Sequence, residues 1–271
     1  MKIFDSHCHL DDEAFEGDLP QVLARMAENE VHAVMIVGID EARSRRAVAL
    51  AERYAQCWAS VGVHPHDAAG CSEAVLERLK VLTASPRVRA WGEIGLDFNR
   101  MHSPREDQEL WFVRQLEIAR ELGLPIILHE RDSGGRLLEL LRTHDWPGRR
   151  GVVHCFSGTA TELDRYLEMG FYIGITGIVT LAGRGQDLRA MLPRIPANRL
   201  LVETDAPYLT PTPERNRQRR NEPAFVRSVL FKVAEVGGEI PETLASIVWD
   251  NTCRLFDIDE RREDPILSPS A

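Results

Sequence analysis

Eight short runs rich in Val, Ile and Phe recur along the chain, spaced by roughly 20 to 37 residues. They cover residues 2–6, 33–37, 58–63, 88–94, 125–129, 151–155, 171–175 and 200–204. Most are nearly continuous in hydrophobicity, as expected of parallel strands buried on both faces. Helical patterns lie between them. Ser103-Pro104-Arg105-Glu106 reads as an N-cap, a first-turn proline and a capping-box glutamate. An apolar stripe follows at Leu110, Val113, Leu116 and Ala119, with Gly123 as the stop. Thr159-Ala160-Thr161-Glu162 is a second capping box, and two further helices are expected near 223–236 and 241–256. Strand–helix alternation eight times over predicts an α/β fold, a single-domain (β/α)8 TIM barrel spanning 1–258, with a polar tail at 259–271. A length of 271 residues suits one such barrel. An open doubly wound sheet is the structural alternative.

Composition removes several function classes. Hydrophobic residues at 44% and charged residues at 28% are ordinary for a globular chain. The longest uncharged run, 169–183, is shorter than the roughly 20 apolar residues of a membrane span. At the N-terminus an acid, Asp5, arrives before any apolar signal core can form, so a cytoplasmic location is expected. The five cysteines are scattered and form no Cys-x-x-Cys pair, which points to free thiols in a reducing compartment. A net charge of −9 argues against a basic coat for non-specific nucleic-acid binding. It leaves open an enzyme that meets phosphates with metal ions and a few local arginines.

Six of the nine histidines fall at or just past the end of a predicted strand, which in a barrel is one rim. His7 and His9 close the first strand two residues apart, so both can face the mouth while Cys8 faces the helices. His64 and His66 flank Pro65 after the third strand, so a loop position is expected. They would bind phosphate or protonate a leaving group; the plainer reading is that they fix the loop. Glu93, in the apolar run Gly92-Glu93-Ile94-Gly95, is costly to bury without a cation, either an arginine or a metal. Asp97, beyond it, orders the next loop with Asn99 and Arg100. His129 ends the fifth strand with Arg131 two residues on, and His154 ends the sixth. Asp205 and Glu203 share a face after the eighth, Asp205 nearer the mouth and Glu203 deeper, as a supporting partner. Four histidines and two carboxylates on one rim carry enough donors for two divalent ions bridged by a carboxylate. Without cations such a cluster would be destabilised by repelling acids and desolvated imidazoles.

These residues, in this order, resemble the TatD family of metal-dependent deoxyribonucleases within the amidohydrolase-like metal barrels. The matching stretches are 5–10, 62–67, 92–99, 129–132, 154–158, 172–177, 203–209 and 219–223, and the resemblance spans residues 1 to about 256. Some members of the TatD branch lack the first His-x-His; this chain keeps both histidines, as the wider family does. The resemblance implies that His7, His9 and Asp205 hold one metal, His129 and His154 a second, with Glu93 bridging. It implies that His64 contacts the substrate phosphate or assists the leaving group.

The expected activity is hydrolysis of DNA phosphodiesters from single-stranded or frayed ends, 3′ to 5′ as the resemblance implies, with RNA as a further candidate substrate. Two ions roughly 3.5–4 Å apart can bridge and deprotonate one water and clamp phosphoryl oxygens. Asp205 would orient that nucleophile and collect its proton. Mixed imidazole and carboxylate donors suit Zn, Mn, Co or Ni, while the resemblance also permits Mg. His66, Arg131, Arg219 and Arg220 are further candidate substrate contacts. Arg215, Arg217, Arg219 and Arg220 crowd the loop after the eighth strand, where pairing with Glu214 and Glu222 is the plain alternative. Phe98, Phe156 and Tyr208 are aromatic candidates for stacking a base. No membrane or obligate protein partner is expected. A hydrolase of another ester or amide (lactone, aminoacyl ester or phosphotriester) and a non-catalytic nucleic-acid-binding barrel are the competing readings.

Overall fold

A computed structural model describes residues 1–259, so all but the first residue of the tail expected at 259–271 lies outside the described residues. Eight parallel strands pair in sequence order: β1 (Ile3–Cys8), β2 (Val31–Val37), β3 (Cys57–Val61), β4 (Val88–Asp97), β5 (Ile126–Arg131), β6 (Gly151–Val153), β7 (Tyr172–Ile175) and β8 (Leu200–Val202). The sheet then closes on itself. Cys8 bridges Ala206 in parallel, and the Asp205 and His9 amides donate to the carbonyls of His7 and Ala206 at 2.9 and 2.7 Å. The chain is therefore a (β/α)8 barrel, and the open-sheet alternative falls away.

Each strand is followed by a helix: α1 (Leu19–Glu28), α2 (Glu41–Arg53), α3 (Glu73–Leu82), α4 (Arg105–Leu122), α5 (Arg136–Thr143), α6 (Ala160–Glu168), α7 (Gln186–Met191) and α8 (Val226–Gly237). A ninth, α9 (Pro241–Phe256), packs on β1 and β8. Two apolar clusters share the burial. One joins Phe4, Met35, Val37, Trp58, Ile127 and Leu201 with Leu255 and Phe256 of α9. The other, larger cluster includes Cys8, Ile36 and Val61 on the strands together with residues of the helices, such as Leu76 and Leu116.

The α6 capping box forms as expected, with the Thr159 hydroxyl and the Glu162 carboxylate each taking the other's backbone amide. Helix α4 departs from expectation at its start and on its face. Ser103 does not cap it; Pro104 holds that position, and the Ser103 hydroxyl donates to the His66 carbonyl and accepts from the Ala69 amide. Leu110 of the expected stripe is 58% exposed, whereas Gln108 and Gln115 are buried. The reason is polar. Gln115 takes the Val63 amide and the Trp91 indole N–H and donates to the Val63 carbonyl, at 2.8, 3.2 and 3.0 Å. Gln108 takes the Asp97 amide and donates to the Ser103 carbonyl, both at 2.8 Å. The rim ends of β3 and β4 leave the sheet with unpaired backbone groups, and buried amide side chains satisfy both the donors and the acceptors there. Helix α4 does stop where expected, at Gly123 with φ of 67°.

Candidate active site at the barrel rim

Strand lengths set the depth of each functional side chain. Strand β4 continues to Asp97 and β5 to Arg131, so Glu93 and His129 lie inside strands rather than at their ends. Strands β6 and β8 stop at Val153 and Val202, one and three residues before His154 and Asp205. Gly95, at φ of +152°, makes the close approach of β4 to β5 possible, because a Cβ there would drive into the His129 carbonyl. Gly174 on β7 does the same for Glu203, whose carboxylate occupies the space a side chain would take.

The six residues expected to ligate metal converge. His7 Nε2 lies 3.4 Å from His9 Nε2, 3.4 Å from Glu93 Oε2 and 3.8 Å from Asp205 Oδ1. His9 Nε2 is 3.5 Å and His154 Nε2 3.7 Å from the same Asp205 oxygen, and His154 Nε2 is 4.0 Å from Glu93 Oε1. His129 Nδ1 reaches Glu93 Oε1 at 2.8 Å. Glu93 thus touches both halves of the cluster.

The donor chemistry fits divalent cations. Donors sharing a tetrahedral ion at about 2.0–2.1 Å sit roughly 3.4 Å apart, the spacing found around His7, His9, Glu93 and Asp205. Proton bookkeeping agrees. His9 Nδ1 lies 3.0 Å from the Val37 carbonyl, which can only accept, so Nδ1 carries the proton and Nε2 points a lone pair into the cluster. His154 Nδ1 contacts Glu203 Oε1 at 2.8 Å, off the line of a straight hydrogen bond, and its Nε2 also faces inward. His7 Nδ1 is buried without a hydrogen-bond partner among the described residues, so its Nε2 makes that ring's polar contacts. Within the polypeptide alone, burial opposes charge on Glu93, yet the imidazoles of His64, His7 and His154 hold its carboxyl well below the ordinary range. Burial likewise works against charge on His154, but Glu203, Glu93 and Asp205 lift it to about 10.

His64 is built differently. Its Nδ1 accepts the His66 backbone amide at 3.0 Å, so the neutral ring carries its proton on Nε2, aimed at His129 Nδ1 3.1 Å away. Burial, reinforced by His129, pushes it down to about 4, so it is a neutral donor rather than a charged one.

The remaining expected contacts are more dispersed. His66 Nε2 is engaged by Asp97 at 2.7 Å. Arg220 turns away to Asp18 at 2.7 Å and to the Ala14 carbonyl at 2.6 Å, so it clasps its own loop to the chain before α1. That engagement differs from the expected substrate contact; the alternative pairing with Glu222 is present but long, at 3.9 Å, because Arg25 holds Glu222 at 2.7 Å. The guanidinium groups of Arg131 and Arg219 make no ion pair among the described residues, and Arg219 is exposed. Asp97 does order its loop, accepting from the Asn99 and Arg100 amides. It also lies 3.2 Å from His129 Nε2, a contact to a residue of another strand that a run ending at 94 does not predict. Once β4 runs on to Asp97, three residues past the expected end at 94, Glu93 and Asp97 stand four residues apart on one strand and share a face. Asp5, on β1, is a further carboxyl that the run of strand residues does not single out. It is buried, takes the Thr204 amide and hydroxyl at 2.8 and 2.5 Å, and burial pushes its carboxyl up to about 8.

A closed parallel barrel carrying an imidazole–carboxylate cluster on its C-terminal rim defines a metal-hydrolase type of molecule. The family described as TatD related DNase matches residues 4–257, and the chain belongs to that family. It is 44% identical over 265 residues to the 3′-5′ ssDNA/RNA exonuclease TatD of Rahnella sp. (strain Y9602), covering 96% of this chain and 100% of that protein. The Klebsiella pneumoniae (strain 342) protein of the same name is 43% identical, with 95% and 98% covered. Among solved structures, the TatD homologue YjjV of Escherichia coli K12 superposes with a TM-score of 0.86 at 31% identity, covering 95% and 98% of the two chains.

Proposed function

We propose that this protein is a metal-dependent 3′-5′ exonuclease acting on single-stranded DNA and RNA. The observation that carries the reading is the convergence of His7, His9, His129 and His154 on two carboxylates, Glu93 and Asp205, with imidazole nitrogens 2.8 to 3.7 Å from their oxygens. His7, His9 and Asp205 would hold one divalent cation, His129 and His154 a second, and Glu93 would touch both. Bound there, divalent cations supply Lewis acidity toward phosphoryl oxygens and lower the cost of ionising a water.

The chain's own groups do the rest. Asp205, partly open to the mouth, is placed to orient an attacking water and take its proton. The His64 Nε2–H is a neutral donor at the same mouth, suited to hydrogen-bond a phosphate oxygen or the departing 3′ oxygen. Val37, Glu203 and Asp97 hold the other nitrogens of His9, His154 and His129, which fixes the imidazole orientations. Arg219, exposed on the loop after β8, adds local positive charge on a chain of net negative charge.

The test is a product ladder from 3′-blocked and 5′-blocked single-stranded oligonucleotides with metal-loaded protein. Stepwise shortening of the 5′-blocked strand alone is expected, and Glu93→Ala should abolish both that ladder and metal occupancy. Retained hydrolysis in Glu93→Ala would remove the bridging role, and shortening from the 5′ end would overturn the polarity.

A further inference from the structure

Three aromatic side chains were placed near the rim by sequence, and the structure separates them. Phe156 is 2% exposed and packs edge-on against Tyr166. Phe98 is partly buried in the core with the Arg105 guanidinium 4.3 Å over its ring. Tyr208 alone presents a free face: it is 52% exposed, three residues past Asp205. The other strongly exposed aromatic among the described residues, Phe231, lies on helix α8.

The ring is held in register with the metal cluster. Its centroid is 6.1 Å from that of His9, at 65° between the planes, so His9 supports it edge-on. The Tyr208 amide donates to the Asp205 carbonyl at 2.8 Å. Its own carbonyl accepts from the buried Asn221 amide at 2.6 Å, and the same Asn221 nitrogen holds the Thr204 carbonyl at 2.9 Å. The backbone that aims Asp205 therefore also aims Tyr208.

Resting on the exonuclease reading, we infer that the Tyr208 ring is a stacking platform for a nucleobase next to the scissile phosphate. Any base offers a π-face, so the contact orients a strand end without reading its sequence. A neutral ring beside the metal cluster would position the terminal phosphodiester over Asp205 and His64 while the base lies outside the polar pocket.

The experiment measures KM and kcat of the metal-loaded protein on oligothymidylate and on the same strand ending in two abasic nucleotides. Stacking contributes roughly 1–3 kcal/mol per base, so Tyr208→Ala should raise KM for the normal strand about 5- to 150-fold. kcat should change much less. On the abasic strand wild type and Tyr208→Ala should have equal, elevated KM, while Tyr208→Phe and Tyr208→Trp should keep the wild-type KM on the normal strand. An unchanged KM in Tyr208→Ala would overturn the platform alone and leave the exonuclease reading standing, as would an equal loss on both strands. A wild type that shortens no oligonucleotide would overturn the exonuclease reading, and this inference with it.

Discussion

Each imidazole of the cluster has two nitrogens, and the protein decides which one the centre sees. A carbonyl on His9, a carboxylate on His154 and another on His129 each claim one nitrogen and leave the other facing in. Glu203 is the most consequential of these. It is fully buried, accepts the Cys155 amide at 2.6 Å and contacts His154 Nδ1 at 2.8 Å. Supporting partners of this kind typically affect metal affinity about 10- to 100-fold. Glu203→Gln should therefore weaken divalent binding by about that factor in a competitive chelator titration while the protein remains folded. An unchanged affinity would show that His154 needs no anionic partner. His64 illustrates the opposite use of the same rule, since a backbone amide on Nδ1 makes its inward nitrogen a donor.

Among the elements, β4 has the hardest task, because one strand must carry both Glu93 and Asp97 against β5. Its pairing is irregular between Trp91 and Ile94, and glycines at 92 and 95 let the backbone pass where side chains would collide. Gly95→Ala forces a Cβ into the His129 carbonyl at a positive φ, so a loss of about 2–4 kcal/mol in urea unfolding is expected. Gly70, where an added Cβ would meet nothing within 4 Å, is the control, and Gly70→Ala should stay within about 0.5 kcal/mol. Equal losses would mean that β4 tolerates a shift. Helix α4 shows where reading by hydrophobic period stops. Two buried glutamines finish the hydrogen bonds of β3 and β4, and a buried glutamine looks in sequence like a solvated one.

For the whole molecule, the centre is where electrostatic cost collects. Glu93, Asp205 and Asp97 lie within one group of imidazoles, most of them nearly inaccessible to water. A divalent cation that binds only the folded chain adds RT ln(1 + [M]/Kd), about 2.7 kcal/mol at a hundredfold excess over Kd. For a chain of this size that is a rise in Tm of roughly 5–10 °C. Thermal unfolding with Mn, Zn or Mg against a chelator-treated sample should show it, and coincident curves would mean the cluster is satisfied without cations. Among the described residues no helix is long and apolar enough to cross a membrane, in line with the shortness of the longest uncharged run.

Much of this arrangement was legible in the chain itself. Strand runs, their order and the strand-end positions of six histidines are local properties, repeated often enough to favour a closed parallel barrel, while the β1–β8 closure that excludes an open sheet came from the structure. His7, His9, Glu93, His129, His154 and Asp205 could be placed on one rim for that reason. What tertiary structure alone decided is pairing between distant residues. That Asp97 meets His129, that Arg220 turns to Asp18, and that Tyr208 faces solvent while Phe156 does not all depend on how loops lean over the mouth. Periodicity carries which face of an element a residue occupies; it carries no information on which side chain, dozens of residues away, closes the hydrogen bond.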